Sequence, residues 1–199
     1  MITHNRSRQT FSAATGQRSA EPSNLASLVW TVILTLAGVG GSLVISCITP
    51  FAALAVALTG TVRLTAALRA IIGIWLTNQF IGFVFFHFPL TPNTILWGVA
   101  SGGTALLSTF VSATVLKYTA PLPTVTRLGL ALLLGFALSE AGLLVAALFL
   151  GGVETFSPAI IARLGIVNVV WLVGLFALNE LVAVLCKSWI GMAPRLAKV

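Results

Sequence analysis

Six stretches of the chain are almost wholly apolar, and short polar or charged segments separate them. They cover residues 25–47, 49–62, 66–88, 94–116, 128–150 and 158–186. A helix needs about 20 apolar residues to cross the ~30 Å hydrocarbon core of a bilayer. Five of the runs reach or approach that length. The run at 49–62 is shorter and begins at Pro50. It either spans by drawing in Arg63, whose side chain would snorkel to the interface, or is re-entrant, which would leave five spans.

The basic residues choose between these two. With six spans and an internal amino terminus, Arg6, Arg8, Arg18, Arg63, Arg69, Lys117, Arg127, Lys187, Arg195 and Lys198 all fall inside. Only Arg163 falls outside. Five spans would carry Lys117, Arg127, Lys187, Arg195 and Lys198 to the outside, against the bias of Lys and Arg toward the cytoplasm. The pattern therefore predicts an all-α integral membrane bundle of six transmembrane helices over 25–190, with both termini cytoplasmic. Residues 1–24 are polar, without apolar periodicity, and read as a disordered cytoplasmic tail. Residues 191–199 read as a short cytoplasmic tail. The run at 25–47 is too long for a cleaved signal and lacks a clear small-residue cleavage site, so it is expected to stay as an anchor. The inner (plasma) membrane is the expected location.

Composition agrees. Hydrophobic residues make up 58% of the 199 and charged residues only 8%, too few to clothe a soluble domain of this size. The net charge of +7 does not point to nucleic acid. The basic residues form no run or helix face; they flank apolar segments, as topogenic charge and attraction to an anionic leaflet require. Cys47 and Cys186 fall at opposite membrane surfaces in this topology, too far apart for a disulfide.

Small residues recur at helical spacing. Gly98 and Gly102 make a GxxxG; Ala53 with Ala57, and Ala66 with Ala70, make AxxxA pairs. In lipid such pairs let backbones approach closely, although a chain so rich in Ala and Gly also makes them by chance.

Polar residues at bilayer depth are costly and mark contacts or function. Glu140 follows Ser139 in the run at 128–150. Asn78 and Gln79 lie in the run at 66–88, where Trp75, Gln79, Gly82 and Phe86 share a helical face and His87 follows at the outer end. Asn168 and Asn179 are three turns apart, on one face with Trp171 and Leu175. Asn78, Gln79, Glu140 and Asn168 are candidates to converge at mid-depth, with His87 and Trp97 at an outer mouth. One reading is an outward-open pocket for a small polar or amphipathic solute, with carboxamides as donors and acceptors and Trp75, Trp97 and Trp171 as flat walls. The other is that these side chains only bond one another across helices. Glu180 lies near the cytoplasmic end and reads as a snorkelling residue.

Enzymatic machinery is missing from the sequence. It has no Asp, and neither nucleophile, zinc nor nucleotide-binding motifs appear. His4 and His87 cannot form a facing haem pair. A non-enzymatic role without cofactor or metal is expected, and any ATP-driven work would need another subunit.

Six apolar runs in about 200 residues, the AxxxA pairs and the polar and Trp residues above resemble the substrate-binding S components of energy-coupling-factor vitamin transporters. The resemblance is one of pattern, over residues 25–190. It implies uptake of a vitamin-like solute with separate ATPase and coupling subunits, and small-residue faces for the coupling contact. That family usually carries AxxxA in its first helix; here it falls in the second and third runs. The alternative is a non-catalytic structural or assembly subunit of a larger membrane complex. The third is a small membrane enzyme acting on lipid, for which acid–base residues are scarce.

Overall fold

The structure, a computed structural model, describes residues 32–34, 36, 40 and 49–190. The expected tails at 1–24 and 191–199, most of the run at 25–47, and Cys47 lie outside the described residues. In chain order the regular elements over 49–190 are α1 (Phe51–Thr61), α2 (Leu64–Val84), α3 (Pro92–Tyr118), α4 (Thr124–Leu150), a 3-10 turn (Val153–Phe156) and α5 (Pro158–Ile190). No strand occurs among the described residues.

Four of these helices, α2 to α5, are long and apolar enough to cross a membrane, as in a multi-pass membrane protein. Short links of seven residues or fewer join them, so chain neighbours run antiparallel. Their ends follow local chemistry. Thr91 caps α3 by accepting the Thr94 N–H at 3.3 Å, and Pro92 occupies the first turn, where a missing N–H costs nothing. Pro158 does the same for α5, with Ser157 Oγ accepting from Ile160 N–H at 3.4 Å. α4 stops at Gly151 and Gly152, whose φ values of 85° and 94° suit glycine. α2 stops at Val84, short of the expected 88, because His87 takes φ 52°. There the chain folds back, with Phe88 N–H donating to Gly82 O at 3.1 Å.

α1 departs from the six-span expectation. Its 11 residues rise only ~16 Å, about half the hydrocarbon thickness. Extension through Arg63 does not occur. Thr61 is the last helical residue, Val62 is extended, and Arg63 is the extended residue before α2. Thr59 and Thr61 turn their hydroxyls back on the carbonyls of Ala55 and Ala57, both at 2.7 Å, so the end is sealed within the helix.

α1 is nonetheless the centre of the molecule. Ala52 through Leu58 are buried without a break, as happens when a helix is surrounded on every side. It packs against α2, α3, α4 and α5, most extensively against α3, and α3 and α4 in turn pack closely on each other. Leu34 joins the same core, with Ile33 packed against it. The outer surface is apolar in turn: Phe80, Val99, Phe110, Leu133, Leu148 and Val173 are exposed, as lipid-facing residues should be.

Ala53, Ala57 and Ala70 lie in that core. These alanines therefore serve packing within the chain, while Ala66, the other member of the second pair, is partly buried on α2.

Candidate functional site

Each candidate residue was placed on a spanning run, and the structure gives each a distinct setting. Trp75 and Gln79, one turn apart on α2, lie against the GxxxG of α3. The Trp75 indole N–H donates to Gly98 O at 2.9 Å. A Cβ at Gly102 would lie 2.6 Å from Trp75 Cε2, and one at Gly98 would lie 2.6 Å from Gln79 Oε1. The two glycines therefore form a recess that the indole and the carboxamide fill. Gly98 O also accepts from Ser101 Oγ at 2.7 Å, so both its lone pairs are engaged.

Asn168 is buried on α5 and bonded at both ends of its amide. Its Oδ1 accepts the Ala53 N–H at 3.0 Å, and its Nδ2 donates to Leu164 O at 3.0 Å. Ala53 is the third residue of α1, one of the four whose N–H has no partner inside a helix. Pro50, which precedes the helix, offers no side-chain cap. Asn168 thus caps α1 from another helix, which fixes the amino end of α1 against the middle of α5. Asn179 is likewise buried, with Leu175 between them on the shared face and Trp171 partly buried.

Asn78 follows Ile71 and Ile74 on the core face of α2, and its Oδ1 is buried without a hydrogen-bond partner. Glu140 is partly buried on α4. Four residues earlier, Phe136 touches Gly165 of α5; two residues later, Gly142 meets Thr104 of α3. Trp97 is partly buried and approaches the Gly152 turn, where a Cβ would lie 3.6 Å from its ring. His87 is exposed, its Nδ1 3.1 Å from Phe85 O. Trp171, with Val170, Gly174, Leu175 and Leu178, lines an open apolar groove of about 270 Å³ along α5.

No hydrogen bond joins Asn78, Gln79, Glu140 and Asn168 to one another among the described residues. Asn78 and Gln79 belong to α2, which packs on α1 and α3; Glu140 and Asn168 belong to α4 and α5. The Gln79 carboxamide lies against Gly98 of α3, and that of Asn168 is bonded to the backbone of α1. Among the described residues, no hydrogen bond engages Asn78 Oδ1 or the Glu140 carboxylate.

Two polar features lay outside the candidate set. One is the seam between α3 and α4, where Thr104, Ser108 and Ser112 face Gly135, Ser139 and Gly142. A Cβ at Gly135 would lie 2.9 Å from Ser108 Oγ and 3.0 Å from Ser112 Oγ. Both hydroxyls are fully buried and lack a hydrogen-bond partner, packed where the missing side chain of Gly135 leaves room. The spacing of small residues at 104, 108 and 112 was the available signal. The other is Arg127, expected in an internal loop. It is buried in the first turn of α4, and its Nη2 donates to Leu116 O at 3.0 Å, placing a cation on the carbonyl end of α3.

No group of His, Cys, Asp and Glu among the described residues is arranged to hold a metal. Comparison of the chain with protein-family models, curated proteins and solved structures gives no match.

Proposed function

We propose that the chain is a membrane-embedded subunit that binds a small polar or amphipathic solute for uptake, with energy supplied by separate ATPase and coupling subunits. The observation that carries this is the half-length helix α1, buried from Ala52 through Leu58 among longer helices, its amino end held by Asn168. Transporters build solute sites where a discontinuous helix ends near the bilayer midplane, because backbone groups unavailable in a continuous helix face a cavity there. Of the candidate residues, Asn78, whose Oδ1 is buried without a hydrogen-bond partner, and Glu140, partly buried on α4, are the ones we assign to a guest. The basic residues support a cytoplasmic position for the ends carrying Arg63, Arg69, Lys117 and Arg127, and an outer position for His87, Glu154 and Arg163. The solute would then come from the outer side, and vitamins, the class implied by the resemblance to S components, are the first to test.

The test is a melting screen of the full chain in nanodiscs against a vitamin panel. A solute of the transported class raises the melting temperature by mass action, and Asn78→Ala abolishes the rise while the protein still accumulates. If no solute raises it and no ATPase co-purifies, the reading is dead.

A structural or assembly subunit is the second reading. It draws on Trp75, Gln79 and Asn168, whose polar groups lie against the chain's own backbone. Under that reading Asn78→Ala costs the protein its partners or its stability, with solute binding never observed.

A further inference from the structure

We infer that Glu140 is the anchoring group of a site for a small organic cation; this rests on the solute-uptake reading above and names the solute's charge. Glu140 lies ten residues before the outer end of α4, ~15 Å below it along the axis. It is partly buried, between the contact of Phe136 with Gly165 and that of Gly142 with Thr104. A carboxylate at this depth is retained where it has a partner or a task.

The chain offers it no counter-charge. No ion pair or hydrogen bond engages Glu140 among the described residues. Between Arg18 and Arg63 the sequence holds no Lys or Arg, so the apolar run at 25–47 brings none. Arg63, Arg69, Lys117 and Arg127 all lie at the opposite end of the bundle. Arg163 is the basic residue nearest in depth. It is exposed, and it sits two residues from Gly165, about 200° around α5 from the face that meets Phe136. The charge that matches Glu140 must therefore come from outside the fold. Partial exposure leaves the carboxylate reachable, and its apolar surroundings select a compact, weakly hydrated cation of the alkylammonium type over a strongly hydrated metal ion.

The experiment uses the full chain in nanodiscs with benzyltrimethylammonium and its uncharged carbon isostere, neopentylbenzene. The cation should raise the melting temperature saturably in the wild type. Glu140→Gln should weaken that response by about tenfold or more, and Glu140→Asp should largely retain it. Dicyclohexylcarbodiimide labelling of wild-type Glu140 should be slowed by the cation and not by the isostere, a readout that does not depend on a variant folding. Equal responses of wild type and Glu140→Gln to the cation, or equal protection by the isostere, overturn the site. An uncharged vitamin that stabilises wild type and Glu140→Gln alike preserves the uptake reading while removing the cation site. Absence of any solute response removes both.

Discussion

The carboxamide of Asn168 receives the backbone N–H of Ala53 at 3.0 Å, a bond between residues 115 apart in sequence. It joins the last helix, α5, to the first turn of the short central helix. Replacement by leucine keeps the branched outline and removes the acceptor, leaving a buried amide with no partner. That loss is worth about 1–3 kcal/mol. Asn168→Leu should lower the melting temperature in detergent, whereas leucine at the exposed Arg163 should leave it nearly unchanged.

The recess made by Gly98 and Gly102 is filled by Gln79 and Trp75. Gly102→Ala places a methyl group 2.6 Å from the indole ring and forces it outward. Overpacking of this kind costs about 1–3 kcal/mol. Gly103→Ala, where a Cβ meets nothing within 4 Å, should be neutral or slightly stabilising, since alanine is the better helix former. Thermal melts of the two variants side by side check the pair.

Gly135 and Gly129 make a matched comparison on α4. A Cβ at Gly135 collides with the hydroxyls of Ser108 and Ser112, while one at Gly129 has open space. Gly135→Ala should destabilise the protein, and Ser108→Ala in the same chain should recover part of the loss by removing one of the colliding oxygens. Failure of that rescue in a double-mutant cycle would show that the α3–α4 seam is not set by this contact.

Arg127 donates to a terminal carbonyl of α3 from within the first turn of α4. Arg127→Gln removes a charge-assisted bond worth about 1.5–3 kcal/mol and one positive charge at a helix end. Lower accumulation and a lower melting temperature are expected. Lysine, a point charge without the guanidinium fork, should restore only part of either.

Orientation is checked by cysteine accessibility in a background lacking Cys47 and Cys186. Tyr118→Cys should react with a membrane-impermeant maleimide only from the cytoplasmic side. Leu90→Cys and Thr155→Cys should react from the outer side. All three positions are exposed at helix ends, so labelling from the reverse sides would invert the proposed topology.

The long helices were legible because hydropathy is a sum over about 20 residues, and Pro92, Pro158 and Gly151 punctuate it. The role of α1 was less so. Residues 51–58 are apolar at every position, and such a run does not distinguish a marginal span from a helix enclosed by its neighbours. Its early stop at Thr61 depends on threonine hydroxyls and an extended Val62–Arg63 link, which no hydropathy average registers. Among the polar residues, sequence spacing identified the face shared by Asn168, Trp171, Leu175 and Asn179, and the face that brings Trp75 beside Gln79. It did not show that Asn168 meets the backbone of Ala53 rather than another side chain, because that pairing is set by how distant helices cross. Arg127 stands just before the apolar run at 128–150, and no hydropathy average shows that its guanidinium reaches back to a carbonyl eleven residues earlier.

The enclosed helix has a consequence for biogenesis. Residues 51–61 leave the ribosome long before 92–190, the segments that will surround them on three sides. Until those arrive, an apolar segment too short to anchor itself across the bilayer has no settled place, and its first turn waits for a carboxamide synthesised 115 residues later. Insertion of the outer helices and maturation of the centre are thus separate events. Truncation before Asn168 should yield a membrane-integrated intermediate whose central segment remains open to protease.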